Sequence, residues 1–173
     1  MELSTTEQRF VLHWGEMGSR WGVNRTVAQI HALLFISEAA LSAEEIAQTL
    51  SVARSNVSMS IRELQSWGLT QVVNVFGDRR DHFTTSKDVW EIFRQVVEQR
   101  RRREIDPTLG MLREALDPSD DATPPESLQR MSEVLAFLEL IGSWHDDVKK
   151  LPRPVALGIL KLGAGVSSLV RSK

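Results

Sequence analysis

Cysteine and tyrosine are both absent from the 173 residues. The first absence removes disulfide frameworks, thiolate zinc sites, iron–sulfur ligation and cysteine nucleophiles together, and a reducing, cytoplasmic setting is the expectation. Long apolar runs are lacking too. The most apolar stretch, residues 154–170, is broken by Lys161, three glycines and two serines. It falls short of the roughly 20 residues that span a bilayer, so it reads as a packing helix. The N-terminal MELSTTEQRF is polar and charged, with no apolar run before a small-residue cleavage site, and neither export nor a membrane partner is expected. Histidines are few and scattered, no serine has a neighbouring histidine and acid at a readable spacing, and no glycine-rich phosphate loop occurs. An enzyme is therefore not expected, nor a cofactor. His145, Asp146 and Asp147 are adjacent, but consecutive helical residues diverge by about 100° and do not converge on one ion, so no metal is expected either.

What is present suits a folded chain. Hydrophobic residues make up 42% and charged residues 25%, ordinary for a globular protein, and the length fits one domain or one domain with an appendage. The net charge of -2 is unevenly spread. Residues 51–103 hold ten Lys and Arg against six acids, a net +4, whereas residues 104–150 hold four bases against eleven acids, a net -7. The middle of the chain can meet phosphates and the part after it would repel them.

Hydrophobic spacing gives the order of elements. Phe10, Trp14, Met17 and Trp21 recur at steps of four and three and predict a first helix. Asn24 can cap a second, with Val27, Ile30, Leu33 and Leu34 as its apolar stripe, and Ser42 with Glu45 forms a capping box for a short third helix carrying Ile46 and Leu50. A short turn at residues 51–54 leads to a fourth helix with Val57, Ile61 and Leu64 inward, which Gly68 stops. TQVVNVF, GDRRD and HFTT then read as two strands around a five-residue tip. Ser86 is placed as the cap of a long helix running toward Leu116, residues 117–125 as a linker or loop, and two further helices follow, the first ended by Pro152 and Pro154.

A short helix, a tight turn, a second helix and a β-hairpin describe a winged helix-turn-helix: mainly α, a small hairpin wing, and flanking dimerisation helices. The second helix of such a unit must hide an apolar face and offer donors and acceptors to base edges on the other. With Val57, Ile61 and Leu64 inward, Ser55, Met59 and Arg62 point outward with Asn56 and Ser58 on the flanks, and nothing on this face before Glu63 is acidic. Arg54 at the helix start, and Arg79 and Arg80 at the hairpin tip, would meet phosphates or a narrow minor groove. Taken one at a time, a serine-rich exposed helix is also merely solvated, and arginines at a hairpin tip also merely keep it soluble.

The run LSAEEIAQTLSVARSNVSMSIRELQSWGL followed by TQVVNVFGDRRDHFTT resembles the winged-helix segment of MarR-type transcriptional regulators, and WGVNRTVAQIHALLFIS resembles the start of the GbsR subgroup, named for control of glycine betaine synthesis. The resemblance covers roughly residues 8–116. It implies a homodimer that binds double-stranded DNA, with the fourth helix in the major groove and first and last helices at the dimer contact. By position, Ser55, Asn56, Ser58, Met59 and Arg62 would face bases or nearby phosphates, and Arg79 and Arg80 would be wing arginines. Asn24 stands where that pattern has proline, which leaves the cap intact.

Residues 24–86 are accordingly expected to be the DNA-binding domain, with residues 1–23 and 87–173 a helical dimerisation region in which Leu157, Leu160, Leu162, Val166 and Leu169 bring apolar surface. Trp14, Trp21, Trp90 and Trp144 are candidates for an aromatic pocket holding a quaternary ammonium effector through cation–π attraction, with core or dimer packing as the plainer role. Arg100 to Arg103 are expected to pair with Glu98 and Glu104. Two other functions stay open: a winged helix that binds proteins and never DNA, and a small-molecule sensor.

Overall fold

The computed structural model describes residues 2–117 and 123–170. The chain divides into two compact units, residues 1–99 and 100–173.

The first unit is built around one enclosed helix. Helix α1 spans Thr5–Arg20 and α2 spans Arg25–Ile36. A two-residue strand β1 (Leu41–Ser42) precedes α3 (Ala43–Leu50), α4 (Arg54–Ser66), β2 (Gln71–Val73), β3 (His82–Thr84) and α5 (Val89–Arg100). Helix α2 buries Val27, Ala28, Ile30, His31, Ala32, Leu33 and Leu34, more than one helical face, because α1, α3, α4 and β3 all pack against it. Two glycines let α1 come close. A Cβ on Gly18 would stand 2.5 Å from the Ala28 Cβ, and one on Gly15 would stand 2.5 Å from the Gln29 Cγ. The expected α1 stripe is therefore displaced: Val11 and Gly15 are buried, Phe10 and Trp14 are half-buried against the core, and Trp21 is exposed at the helix end.

The expected caps are in place. Asn24 Oδ1 accepts the Thr26 amide at 2.8 Å, and Ser42 and Glu45 form a reciprocal capping box. Ser86 is not the cap of α5. Its Oγ accepts the Asp88 amide at 3.1 Å, and Asp88 Oδ1 in turn accepts the Trp90 amide at 2.9 Å, so the helix starts at Val89. Strand β1, too short for a period-2 pattern to reveal, adds a third strand: it pairs antiparallel with β3, giving the order β1-β3-β2 with Val72 and Leu41 both opposite Phe83.

In the second unit a π-helical turn (Arg101–Ile105) leads into α6 (Asp106–Ala115), followed by α7 (Pro125–Lys150) and α8 (Arg153–Val170). The long helix expected as far as Leu116 is thus interrupted, for a reason its own sequence holds: Pro107 has no N–H for the helical ladder and its ring crowds the carbonyl four residues back, which a π turn relieves. The arginine run has its expected partner Glu104 and also partners the spacing does not show. Arg100 meets Glu104 at 2.9 Å as expected, whereas Arg101 meets Asp106 at 3.4 Å and also Asp146. Helix α7 carries two apolar stripes. Leu128, Met131, Leu135 and Leu138 are half-buried, while Val134, Phe137, Leu140, Ile141 and Trp144 are exposed. On α8, Leu160 and Leu162 are exposed, and Val166 and Leu169 lie outside the described side chains, as residues 118–122 of the expected linker lie outside the described residues. No helix among the described residues is long and apolar enough to cross a membrane.

Enclosing α2 buries polar groups that must be satisfied. Thr85 Oγ1 donates to the Leu69 carbonyl at 2.6 Å, so it accepts at 3.3 Å from His31, whose imidazole carries its proton on Nε2. The Lys87 ammonium caps the C-terminal end of α2, donating to the carbonyls of Leu34, Phe35 and Ser37 at 2.5 to 3.0 Å. Burial, reinforced by the charge of Lys87, pushes the His31 imidazole from its ordinary 6.5 down to about 4. The unfolded chain binds a proton at His31 through this range that the folded chain refuses. The stability His31 contributes as a neutral base is therefore complete above about pH 6.5 and lost as pH falls toward 4, by about 3 kcal/mol over the whole interval. Urea unfolding followed from pH 7 to pH 4 should show this loss, and His31→Gln should unfold with a much flatter dependence across the same interval.

Candidate nucleic-acid interface

Helices α3 and α4 are joined through Ser51, which adopts a left-handed conformation (φ 54°) and turns the chain within residues 51–53. The two helix starts differ. Helix α3 has its full capping box, whereas α4 begins after Ala53 with no side-chain cap, so its first amides stay open toward solvent beside Arg54. Val57, Ile61 and Leu64 are buried at 0%, 3% and 2% exposure, which fixes the rotation of α4. Arg54, Ser55, Asn56, Ser58, Met59 and Arg62 are consequently all exposed, as their spacing predicts. Ser60 is a member of the buried side that the sequence pattern does not reveal.

The outward face is partly organised by its own hydrogen bonds. Ser58 Oγ donates to the Arg54 carbonyl at 3.1 Å, and Arg62 Nε donates to the Ser58 carbonyl at 3.2 Å, which lays the Arg62 stem along the helix and leaves its terminal amino groups outward. Asn56 and Met59 also line a cleft of about 280 Å³ with Asn24, Thr26, Val27, Ser60 and Glu63, at the N-terminal end of α2. This face offers amide, hydroxyl and guanidinium donors, an amide acceptor and one thioether, the set that reads base edges.

The wing treats its two arginines unequally. Residues 74–81 connect β2 to β3, a longer tip than GDRRD. Arg80 Nε lies 3.1 and 3.0 Å from the two Asp78 carboxylate oxygens and Nη2 donates at 2.6 Å, while Nη1 stands 3.5 Å from Glu44 on α3. His82 adds a contact, its Nε2 3.6 Å from Asp78. This pairing holds the Asp78 carboxyl far below the ordinary carboxylate range and raises Arg80 further above its own. Arg80 therefore braces the wing against the start of α3. Arg79 is exposed and makes no hydrogen bond or ion pair among the described residues.

The four tryptophans do not share one site in the first unit. Trp14 lines a cavity of about 210 Å³ with Phe10, His31, Ala32, Phe35, Val89 and Ile92, and its ring lies 5.5 Å from that of Phe10. Trp21 and Trp90 are not among those walls; Trp90 instead tilts against Phe93 at 5.8 Å. Trp144 belongs to the exposed stripe of α7 in the second unit. The phenylalanines were the missed signal, since Phe10 and Phe35 supply aromatic walls that a search for tryptophan passes over. Among the described residues no group of three or more metal-ligating side chains occurs.

The model of the MarR family matches residues 21–81, which include α2, α3, α4 and β2. The structure is similar to a solved transcriptional regulator, with 21% identity and a TM-score of 0.66 over 82% of this chain and 94% of that one. A transcriptional regulator from Thermotoga maritima aligns at 21% identity and TM-score 0.40, covering 83% of this chain and 92% of that one. A complex of S. aureus MepR with DNA aligns at 13% identity and TM-score 0.39, covering 82% and 99%. The first likeness carries the fold, a mainly helical winged helix-turn-helix with a small antiparallel sheet. No curated protein sequence matches.

Proposed function

We propose that the chain is a DNA-binding transcriptional regulator of the MarR type that acts as a homodimer on a pseudo-palindromic operator. One observation carries this: α4 sets an exposed, acid-free row of Arg54, Ser55, Asn56, Ser58, Met59 and Arg62 over a fully buried apolar stripe. Such a helix has no use for that row in packing, and its chemistry suits a major groove. Residues 24–86 form the DNA-reading part, and residues 1–23 and 87–173 the dimerising part. Arg79 meets phosphate or the minor groove. Arg80 reaches DNA less directly, because its guanidinium already braces the wing. The GbsR-like subgroup rests on the resemblance of residues 21–37 alone.

Base contact and phosphate contact separate in one binding series. Asn56→Ala and Arg62→Ala should each cost about 1 to 3 kcal/mol on a selected operator and much less on scrambled duplex. Arg79→Ala should weaken both duplexes alike and flatten the plot of log K against log salt by about 0.9 per winged domain. Ile61→Ala, behind the face, should instead lower stability by roughly 2 to 5 kcal/mol. Absence of salt-sensitive binding to either duplex would favour a protein-interaction module.

Dimerisation is supported by the exposed stripe of α7, where Phe137, Leu140 and Trp144 present large apolar side chains to water in the single chain. Light scattering at micromolar concentration should return twice the 19.5 kDa chain mass, and Phe137→Glu with Leu140→Glu should shift it toward the monomer.

An effector is supported by the cavity beside Trp14. Its walls offer three aromatic faces and no carboxylate, and Lys87 acts on His31 at its edge, so an uncharged apolar molecule suits it better than a quaternary ammonium ion. The isosteric pair 3,3-dimethyl-1-butanol and choline tests this: the alcohol should perturb tryptophan fluorescence at the lower concentration, with the change lost in Trp14→Phe. The reverse order would restore the cation.

A further inference from the structure

The wing carries a side chain that neither its fold nor its charge accounts for. Phe76 is 106% exposed, more open than any other large apolar residue described. It is held there by local geometry. The Asp78 amide donates to the Val75 carbonyl at 3.1 Å and Gly77 has φ 84°, so residues 75–78 form a type II β-turn with Phe76 at its first central position. Asp78, the last residue of that turn, is the carboxylate that Arg80 grips and that His82 approaches, with Arg80 reaching on to Glu44. Phe76 is thus displayed on a braced turn instead of a slack loop, and ordering it costs little when something binds.

Its surroundings narrow what binds. On the DNA-binding function proposed above, with α4 in a major groove, the wing that follows it through residues 67–70 is placed against the adjacent minor groove of the same duplex. Around the tip, Asp78 is taken up by Arg80, and Arg79 is the guanidinium there with no hydrogen bond or ion pair among the described residues, which leaves the tip one side chain to meet a phosphate. A tip of this composition gains its hold from apolar contact. Minor-groove proteins obtain this by pushing Phe, Leu, Ile or Met between base pairs.

We infer that Phe76 is an apolar wedge that enters the minor groove of duplex DNA and opens a pyrimidine–purine step, with Arg79 on the neighbouring phosphates. This rests on the DNA-binding function proposed above. Pyrimidine–purine steps unstack most readily, so the wing selects sequence by deformability where no hydrogen bond reads a base. The residue adds a specificity determinant outside α4.

The full-length protein is used to enrich duplexes from a random pool, and 2-aminopurine, which brightens when unstacked, replaces single adenines outside the segment read by α4. With the original protein, one position on each flank should brighten, at a TA or TG step. Phe76→Ala should abolish the brightening and weaken binding about tenfold, in the range of one base–aromatic stack, with the salt slope unchanged because no charge is removed. Phe76→Leu should keep most of both. All three proteins should unfold at the same temperature, since the side chain touches no core. Full affinity and full brightening in Phe76→Ala would overturn the wedge while leaving DNA binding intact. A loss of self-association in Phe76→Ala, with DNA binding unchanged, would assign the apex to a second copy of the chain. Failure of the original protein to enrich any duplex would overturn the DNA-binding function and the wedge with it.

Discussion

The first unit depends on the burial of α2. A helix with Ile30, Leu33 and Leu34 at 0 to 1% exposure cannot lie on a surface, so every neighbouring element is obliged to cover part of it. That covering fixes α4, whose Val57, Ile61 and Leu64 belong to the same core, and fixing α4 determines which residues it turns to solvent. It also obliges the chain to satisfy what it buries. Thr85 and Lys87, on the segment between β3 and α5, meet the His31 ring and the last carbonyls of α2. The exposed row on α4 is thus a by-product of core packing several residues away, and so is the point where α5 begins.

Charge is managed in the same economical way. A wing with two adjacent arginines resembles a simple cationic tip, yet Asp78 and Glu44 claim one of them for support. Since exposed ion pairs contribute little stability, the effect of this cluster lies in geometry: it fixes the direction of residues 74–81. A firm wing with one open guanidinium and one apolar apex differs from a flexible basic arm, because its direction is set before anything meets it.

The core helices were legible because their periodicity had a single cause. In α3 and α4 one face meets the core that encloses α2, and spacing, the caps of α2 and α3 and the helix-turn-helix order all agree with the structure. The pattern misleads where two demands overlap. On α1 the large aromatics suggest the inward face, but Val11 and Gly15 are its buried residues, and at Gly15 and Gly18 the helix lies too near α2 for a side chain. Along residues 70–76 the valines suggest a longer strand, but β2 is an edge strand with exposed side chains and the ladder ends at Val73. Phe76, counted as strand, is in fact the turn apex. The partition of Arg79 from Arg80 was invisible in sequence, because the partner Glu44 lies 36 residues away. The second stripe of α7 was masked by the first, as a helix apolar on two faces has little periodicity left to detect.

The close approach of α1 to α2 also bears on how such chains can diverge. With a Cβ on Gly18 only 2.5 Å from that of Ala28, position 18 cannot gain a carbon unless position 28 gives one up, and glycine in the middle of α2 costs about 1 kcal/mol in helix propensity. Neither change is neutral alone, and each becomes tolerable only beside the other. Lineages that keep this helix pair in contact should therefore carry the two positions as a linked pair, small opposite small, drifting together or not at all.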